Sequence, residues 1–408
     1  MRRIAIVGAG QAGLQLALAL NDRNYDVTLL TARTAEEIRG GRVASTQCMF
    51  HDAVQLERDL GINQWDGVAP SLAGNGVTIV APDGSRAVNW LGLFDAPGQA
   101  VDQRIKFADW LELLAARGGR VEHRAAEPAD LDALTREHDL VLVSTGRGGL
   151  ADVFERDPVR SVHVEPPRHL AICYVRPYSL RPEHPREAVW FNVRPGIGEL
   201  FMVPGHTFGG PCMMTFMEAV PGGPMDVFGD RPGPHEQWRR MKQLLREHFP
   251  WEHARLADAE LTDERGTFAG RFTPVVRRPV ARMPGGGAVL GLADAVVAND
   301  PLTGQGSNSA AKAADSYLRS IVERGDEPFD VGWMHRTFER YWEYGRVVTE
   351  WTNLMLRPPE HVVRLLSAGQ HNDAVARRVV NGFNDPADYP GWFLDADSAD
   401  RYLQAVAA

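Results

Sequence analysis

The sequence RIAIVGAGQAGLQLALALNDRNYDVTLLT, at residues 3–31, decides the fold of this chain. A short apolar run is followed at once by Gly8, Gly10 and Gly13, then by a stretch with helical apolar spacing and a second apolar run. A strand, a GxGxxG turn, a helix and a strand in this order are typical of a dinucleotide-binding unit. The glycines permit a tight turn, close approach to a pyrophosphate and close packing of the helix on the strand. We therefore predict that Gly8, Gly10 and Gly13 bind a dinucleotide at the start of the helix.

The end of the second predicted strand lacks the acidic residue that usually binds the ribose of NAD. Thr31 stands there instead, and Arg33 follows two residues later. A threonine hydroxyl can still hydrogen-bond a ribose, and Arg33 can reach a phosphate or the adenine face. Arg42 is a further candidate for cofactor binding. Since FAD makes many other contacts along its length, the missing acid argues against NAD more than against FAD.

Length and composition limit the other possibilities. With 408 residues, the chain exceeds the size of one hydrophobic core, so two domains are expected. A net charge of −9 without a basic block argues against nucleic acid as a partner. Cys48, Cys173 and Cys212 are far apart and have no histidine at ligand spacing, so we predict no disulfide and no metal site. No window holds about eighteen apolar residues, so we expect no membrane span and a cytoplasmic location.

A second signature lies far along the chain, where residues 288–306 read AVLGLADAVVANDPLTGQG. It resembles the strand, aspartate and Pro-x-x-Gly-x-Gly turn of FAD monooxygenases of the aromatic hydroxylase type. The resemblance implies that Asp294 binds the ribityl hydroxyls of FAD. It also implies that the backbone of Pro301, Gly304, Gln305 and Gly306 lies beside the isoalloxazine ring. Helix-start amides would stabilise the negative charge of reduced flavin. The alternative is that Asp294 is a solvated turn residue.

Two further segments resemble parts of the same superfamily. The run VLVSTG at residues 141–146 matches the strand that ends beside FAD. The segment AVDQR at residues 100–104 begins a predicted helix, and its Arg104 matches the arginine that packs against the FAD pyrophosphate in relatives. A surface charge on that helix is the alternative for Arg104.

Together these pieces resemble the FAD-dependent epoxidase component of two-component styrene and indole monooxygenases. The resemblance covers nearly the whole chain, through these segments: IAIVGAG (4–10), AVDQR (100–104), VLVSTG (141–146), GIGELFMVPGHTF (196–208), DPLTGQGSN (300–308) and EWTNLMLRPPE (350–360). It implies an α/β fold with a Rossmann-type FAD domain, a mostly antiparallel substrate domain and a C-terminal helical region.

Ser45, Gln47 and Met49 carry information about the substrate. In the styrene branch of the family the matching positions tend to be Asn, Val and His, and in the indole branch Ser, Gln and Met. The chain therefore resembles the indole branch, and the three residues are predicted to line the substrate pocket. Their alternation with other residues predicts a strand with one face on a cavity. Taken singly, Met49 is as compatible with an ordinary core position.

Other segments bear on the size and walls of that pocket. Ala73, Gly76 and Gly98 are smaller than the residues that both branches carry nearby, which favours a wider pocket and a bulkier aromatic substrate. The Met- and Phe-rich runs Leu200–Val203 and Met213–Met217 are suited to form its apolar walls, with ordinary sheet core as the alternative.

The resemblance implies a mechanism in which reduced FAD and O2 form a flavin hydroperoxide that epoxidises or hydroxylates an aromatic alkene. Indole or an indole-containing compound is the predicted substrate, and no amino-acid nucleophile is required. An NAD(P)H-dependent flavin reductase would supply reduced FAD, directly or by diffusion. The segment STGRGG at residues 144–149 stands where self-sufficient hydroxylases carry an Asp-Gly motif for NADPH, which supports a separate reductase. Monomer and homodimer both remain open.

Three alternatives remain. The enzyme could be a styrene-type epoxidase. It could be a flavin dehydrogenase or reductase on the same fold that incorporates no oxygen. It could also be a flavin carrier without catalytic activity.

The predicted layout is discontinuous. The FAD-binding domain is expected at residues 1–48, 98–158 and 280–322. The substrate domain is expected at 49–97 and 159–279, and a C-terminal helical region at 323–408.

Overall fold

A computed structural model describes residues 1–146 and 148–407. Arg147, within the STGRGG segment, lies outside the described residues. The strands, in chain order, are β1 (Arg3–Val7), β2 (Asp26–Thr31), β3 (Cys48–Met49), β4 (Ser71–Val80), β5 (Arg86–Ala100), β6 (Arg120–His123), β7 (Leu140–Val143), β8 (His169–Arg176), β9 (Val189–Arg194), β10 (Gly198–Thr207), β11 (Gly210–Ala219), β12 (Glu260–Leu261), β13 (Thr267–Arg271), β14 (Val275–Val276), β15 (Val280–Arg282), β16 (Ala288–Gly291) and β17 (Val297–Ala298).

The helices alternate with these strands in the first part of the chain and follow one another in the last. The α-helices are α1 (Gln11–Asn21), α2 (Ala35–Arg39), α3 (His51–Asp59), α4 (Gln103–Ala116), α5 (Pro128–Glu137), α6 (Pro234–His248), α7 (Pro250–Arg255), α8 (Gly306–Arg324), α9 (Val331–Leu356), α10 (Glu360–Ala368), α11 (Asp373–Asn381) and α12 (Ala396–Ala407). Short 3-10 helices lie at Ala151–Val153, Ala293–Ala295, Pro301–Thr303 and Pro386–Gly391.

The first sheet has the strand order β15-β16-β7-β1-β2-β6. Every neighbouring pair is parallel except β15 with β16. Its central strands are continuous aliphatic runs, and the side chains of both β7 and the last four residues of β1 are buried. Helices α1, α4 and α5 pack on strands of this sheet, and such uninterrupted apolar strands require cover on both faces. The predicted Rossmann-type domain is confirmed.

The second sheet has the order β12-β8-β11-β10-β9-β4-β5-β3, with β13 paired to β8. It is antiparallel apart from the pair of β4 and β9, as predicted for a mostly antiparallel domain. Side chains alternate between its two faces. One face packs on α6 and α7, while the other packs on Leu302 and the C-terminal helices.

The two sheets take their strands from different ranges of the chain. Those of the first sheet lie within residues 1–48, 98–158 and 280–322. Those of the second lie within 49–97 and 159–279, except for Cys48 and the last residues of β5. Helix α3 departs from this layout, because it packs on α8 of the first domain.

The C-terminal helices cover both domains. The first half of α9 packs on α8, whereas its second half and α10, α11 and α12 pack on the second sheet around Trp351 and Tyr389. Among the helices of the described ranges, none combines the length and apolar character needed to cross a bilayer. Residues 1–146 and 148–407 also contain no group of three His, Cys, Asp or Glu arranged to hold a metal ion.

Candidate active site

The turn between β1 and α1 leaves the start of the helix open. Gly8 has a φ of +120°, a conformation that favours glycine. A Cβ on Gly13 would lie 2.0 Å from the Gly8 carbonyl oxygen, so α1 packs directly on this turn. Gly10 is the N-cap of α1, with no side-chain cap and no acid in the first helical turn. A Cβ built on Gly10 meets nothing within 4 Å, so the helix N–H groups have room for a phosphate.

The carboxyl ends of β1, β7 and β16, called here the carboxyl edge, bring three predicted segments together. Ser144 Oγ, just after β7, donates a hydrogen bond of 3.0 Å to the Gly8 carbonyl oxygen. A Cβ on Gly146 would lie 2.4 Å from the Cβ of Asp294, so the backbone after β7 packs closely on that residue. Asp294 itself is exposed, and Ala293 before it has a φ of +52°. An alanine in this left-handed conformation is strained.

Residues 300–304, called here the flavin turn after their predicted role, lead into the second open helix. Asp300 Oδ1 accepts a hydrogen bond of 3.1 Å from Leu302 N, and Pro301 begins the 3-10 helix. Gly304 adopts a φ of +63°. Helix α8 then begins at Gly306 with no side-chain cap and no acid in its first turn. A Cβ at Gly304 or Gly306 would meet nothing within 4 Å.

Gln305 is the N-cap of α8, and its side chain is turned away from this opening. The side chain is buried, and Nε2 donates a hydrogen bond of 2.9 Å to the Phe383 carbonyl oxygen. Its Oε1 accepts a hydrogen bond from the Tyr344 hydroxyl at 3.3 Å. Gln305 therefore fixes the start of α8 to the C-terminal helices.

Thr31 ends β2, and Arg33 lies beside the backbone that precedes Arg42. Thr31 Oγ1 lies 3.2 Å from the Arg33 carbonyl oxygen and 3.3 Å from Arg33 N. The side chains of Arg33 and Arg42 are exposed. Arg33 Nη1 would lie 3.2 Å from a Cβ on Gly41, which places it beside the backbone before Arg42. The exposed Arg33 guanidinium is thus available to a ligand near the end of β2.

Arg104 has a different environment from the one expected. Its side chain is only 2% exposed, so the alternative of a surface charge is wrong. The guanidinium binds Asp102 with Nη2–Oδ2 at 2.7 Å and Asp263 with Nη1–Oδ1 at 2.8 Å. Burial lowers the pKa of Arg104, but hydrogen bonds to Asp263 and Asp102 outweigh it and raise the pKa above its usual value. Two carboxylates therefore occupy most of its donors, and the pyrophosphate contact stays a prediction.

Residues 43–49, called here the pocket segment, are attached to the second sheet. Val43 N donates to the Arg265 carbonyl oxygen at 3.0 Å, and the Tyr174 hydroxyl donates to the Ser45 carbonyl oxygen at 2.5 Å. Ser45 Oγ accepts a hydrogen bond from Gln47 N at 3.1 Å. The predicted strand over Ser45 and Gln47 is wrong, because Gln47 has a φ of +47° and regular pairing begins only at β3. Gln47 is 6% exposed, and its Oε1 accepts no hydrogen bond from the residues described.

Met49 is fully buried at the end of the pocket segment. Lys106 Nζ lies 3.2 Å from Met49 Sδ and 2.7 Å from Glu57 Oε1. Glu57 Oε1 also accepts a hydrogen bond from Gln11, the first residue of α1, at 3.0 Å. Met49 thus packs on a buried polar network behind the carboxyl edge, and its predicted contact with substrate stays a prediction.

Asn308, in the first turn of α8, is a residue that sequence reasoning missed. Its Oδ1 accepts a hydrogen bond from Phe50 N at 2.8 Å, and its Nδ2 donates to the Cys48 carbonyl oxygen at 3.0 Å. Nδ2 also donates to the Gly304 carbonyl oxygen at 2.9 Å. One buried amide therefore joins the flavin turn to β3. The available signal was an asparagine near the start of a helix whose first residues are otherwise small.

The prediction of a wider pocket at Gly76 and Gly98 is wrong. A Cβ on Gly76 would lie 2.2 Å from the ring of Trp190, and a Cβ on Gly98 would lie 2.6 Å from the Met49 carbonyl oxygen. Neighbouring atoms thus already fill the space that the missing side chains leave. Ala73 is half-buried on β4.

The two runs predicted as pocket walls divide between the faces of the second sheet. Phe201 and Phe216 stack at 5.6 Å and share a cluster with Leu302 of the flavin turn. Leu200 and Met213 point to the other face, towards α6. The alternation along a strand thus assigns only half of each run to the side that faces the flavin turn.

Comparison with known proteins shows which family this chain resembles. Residues 146–255 match the family model described as "Styrene monooxygenase A putative substrate binding domain". Styrene monooxygenase StyA of Pseudomonas fluorescens is 30% identical over 402 residues, which are 95% of this chain and 93% of that protein. A styrene monooxygenase StyA of a Pseudomonas species matches equally, at 30% identity over the same coverage.

Solved structures agree on the fold. The p-nitrophenol 4-monooxygenase PnpA of Pseudomonas putida DLL-E4 superposes with a TM-score of 0.66 at 14% identity, over 95% of this chain and 99% of that one. The flavin-dependent brominase Bmp2 gives 0.61 at 12% identity, over 92% and 97%. The fold and the relatives make the chain a flavin-dependent monooxygenase. Within that class, it belongs to the styrene monooxygenase StyA family.

Proposed function

We propose that this monooxygenase uses O2 and reduced FAD to epoxidise or hydroxylate the 2,3-double bond of indole or an indole-containing compound. A separate NAD(P)H-dependent flavin reductase would supply the reduced FAD. Family membership establishes a flavin-dependent monooxygenase. FAD as the cofactor, the reductase as the partner and indoles as the substrate class are what we propose in addition.

The carboxyl edge fits FAD. Gly10 and Gly306 mark two helix starts that lack both a cap and an acid, and each has open space beside it. The first would bind the pyrophosphate, and the second would stabilise the negative charge of the reduced pyrimidine ring. Asp294, exposed at the same edge, would bind the ribityl hydroxyls, with Thr31 and Arg33 at the adenosine end. Bound reduced FAD would supply the activation of O2. The protein would bind the cofactor, orient the substrate and exclude water.

Gln47 Oε1 is the observation that carries the choice of indole. It is a buried acceptor without a hydrogen-bond donor in the described part of the chain. An indole N–H can satisfy it, whereas styrene has no donor. An unpaired buried acceptor costs about 1–3 kcal/mol. A site with such an acceptor therefore discriminates against a substrate of similar shape that lacks the donor.

Styrene epoxidation is the second candidate. It is favoured by the names of the two relatives that are 30% identical to this chain. Styrene would bind on apolar contacts alone and leave Gln47 Oε1 unpaired. The indole proposal therefore predicts that the N–H group of the substrate raises kcat/KM through Gln47, whereas the styrene candidate predicts no preference that depends on Gln47.

The test compares rates on indole, indene, 1-methylindole and styrene, with reduced FAD supplied externally. Indene has the shape of indole without its N–H. We expect kcat/KM for indole to exceed that for indene by about 5- to 100-fold. Gln47→Val should remove most of this preference, because no acceptor remains. Gln243→Val, at an exposed position of α6, is the matched control and should keep it.

Equal rates on indole and indene in the wild type would contradict the role of Gln47. A preference for styrene over indole that Gln47→Val leaves unchanged would favour the second candidate.

A further inference from the structure

A buried acid cluster lies directly behind the flavin turn. Glu218 on β11 stands opposite Glu199 on β10, and the two residues are 0% and 6% exposed. Asp300, the first residue of the flavin turn, is 3% exposed. Three carboxyl groups at such burial cannot all remain ionised without compensating cations.

Arg168 is the cation of this cluster, and it forms an ion pair with Glu199. Arg168 Nε donates to Glu199 Oε2 at 2.8 Å, and Nη2 donates to Glu199 Oε1 at 2.9 Å. The remaining Nη2 contact is with the Leu356 carbonyl oxygen at 3.0 Å. Burial lowers the pKa of Arg168, but the hydrogen bond to Glu199 and the charges of Glu199, Glu218 and Asp300 together outweigh burial and raise the pKa. Glu218 and Asp300 therefore have no ion pair with Arg168 and interact with each other.

Glu218 and Asp300 lie within hydrogen-bonding distance of each other. Neither oxygen of Glu218 accepts a hydrogen bond from an N–H or O–H group of the described residues. Asp300, by contrast, accepts one from Leu302 N. When two buried carboxyl groups are in contact, one holds a proton, and the group with other donors keeps the charge. The proton therefore belongs on Glu218.

The pKa directions agree with this geometry. Burial raises the pKa of Glu218 well above its usual value, and the neighbouring charges of Asp300 and Glu199 raise it further, against the opposing effect of Arg168. Burial also raises the pKa of Asp300, while hydrogen bonds from Glu218 and Leu302 N oppose this rise, as do the charges of Arg168 and His163.

We propose that Glu218 is a positioning residue for the flavin turn: its neutral carboxyl donates a hydrogen bond to Asp300, and Asp300 holds the turn against the flavin. The proposal rests on the proposed function, in which this turn faces the pyrimidine ring of FAD. Because Glu218 is neutral, only Asp300 of this pair places a negative charge near the anionic reduced ring. The residue thus favours binding of the reduced cofactor without contacting it.

The first test compares thermal unfolding of the wild type and Glu218→Gln without added FAD. An unfolded Glu218 ionises above about pH 4.5, whereas the native residue keeps its proton, so the wild type loses stability as pH rises above this value. The glutamine carries no such penalty and still donates an N–H to Asp300. We expect the Tm of Glu218→Gln to exceed that of the wild type increasingly from about pH 5 to about pH 8.

Glu199→Gln is the matched control on the neighbouring strand. It removes the carboxylate that pairs with Arg168, so its Tm should fall below that of the wild type at about pH 7. A Tm difference for Glu218→Gln that is constant, or that reverses as pH rises, would show an ionised Glu218 and overturn the proposal.

The second test measures the midpoint potential of bound FAD and the affinity for reduced FAD at about pH 7. Glu218→Gln exchanges one neutral donor for another, so its potential should equal that of the wild type. Glu218→Leu lacks the donor and should weaken reduced FAD about tenfold, with a smaller loss for oxidised FAD. A raised potential in Glu218→Gln would overturn the proposal, and so would unchanged affinity in Glu218→Leu. Oxygenation by the wild type tests the proposed function separately, because the Tm comparison needs no FAD.

Discussion

The carboxyl edge and the pocket segment lie close together but are stabilised by different atoms. At the edge, glycines and the uncapped starts of α1 and α8 leave backbone N–H groups open, and close packing leaves no room for a side chain at Gly13. The pocket segment is instead held by side chains from remote elements, namely Tyr174, Asn308 and Lys106. The edge should therefore be sensitive to added atoms, and the pocket segment to the loss of a distant polar partner.

The largest expected effect comes from Lys106→Met, which breaks the network behind the pocket segment. Glu57 is 0% exposed and would be left as a buried carboxylate without its cation. Such a loss costs about 3–5 kcal/mol in the free energy of unfolding. Urea denaturation of the wild type and the variant measures it.

The matched variant is Lys106→Met with Glu57→Gln, which leaves no buried charge. It should recover more than half of the lost stability, since the remaining cost is a weakened hydrogen-bond network. If the single and double variants were equally unstable, the ion pair would not be what stabilises the pocket segment.

An intermediate effect is expected at the edge from Gly10→Ala. The methyl group meets no protein atom within 4 Å, so the fold should lose only about 0.5–1 kcal/mol from the poorer N-cap. The same methyl would occupy the space proposed for the pyrophosphate. FAD affinity should fall about 10- to 100-fold, as measured by titration of flavin fluorescence.

Gly233 provides the control, because it is the uncapped N-cap of α6 and also has open space beside its Cα. Gly233→Ala should lose similar stability and keep wild-type FAD affinity. Unchanged FAD affinity in Gly10→Ala would show that the pyrophosphate does not bind at the start of α1. The carboxyl edge would then not be the part of the molecule that is sensitive to added atoms.

The smallest expected effect comes from Ala293→Gly at the carboxyl edge. Ala293→Gly relieves the φ of +52° before Asp294 and should stabilise the protein by about 0.5–1 kcal/mol, as a small rise in Tm. Ala295→Gly, two residues later, is fully buried and has no such strain, so it should destabilise. Loss of stability in both variants would show that Ala293 is not strained.

The sequence predicted the edge better than the pocket segment for a physical reason. The β1–α1–β2 unit and the flavin turn are each contiguous, and local spacing specifies glycines, strand and helix start. The environments of Arg104 and Met49 depend on Asp263, Lys106 and Glu57, which come from distant parts of the chain. No local pattern indicates such partners.

The same reason explains the errors of detail. A strand over Ser45 and Gln47 follows from alternation alone, but the left-handed Gln47 interrupts it. Remote side chains, Tyr174 and Asn308, hold the backbone on either side of Gln47. A wider pocket at Gly76 follows from residue size alone, but Trp190 from β9 fills the space. Both depend on packing between elements that one sequence does not reveal.

The most direct test of the central claim is aerobic turnover of indole under oxygen-18, with FAD, NADH and a generic flavin reductase. A parallel reaction contains FAD and NADH or NADPH without the reductase. We expect a product labelled from O2 only when the reductase is present. A labelled product without the reductase would contradict the two-component account, and an unlabelled oxidised product would contradict oxygenation itself.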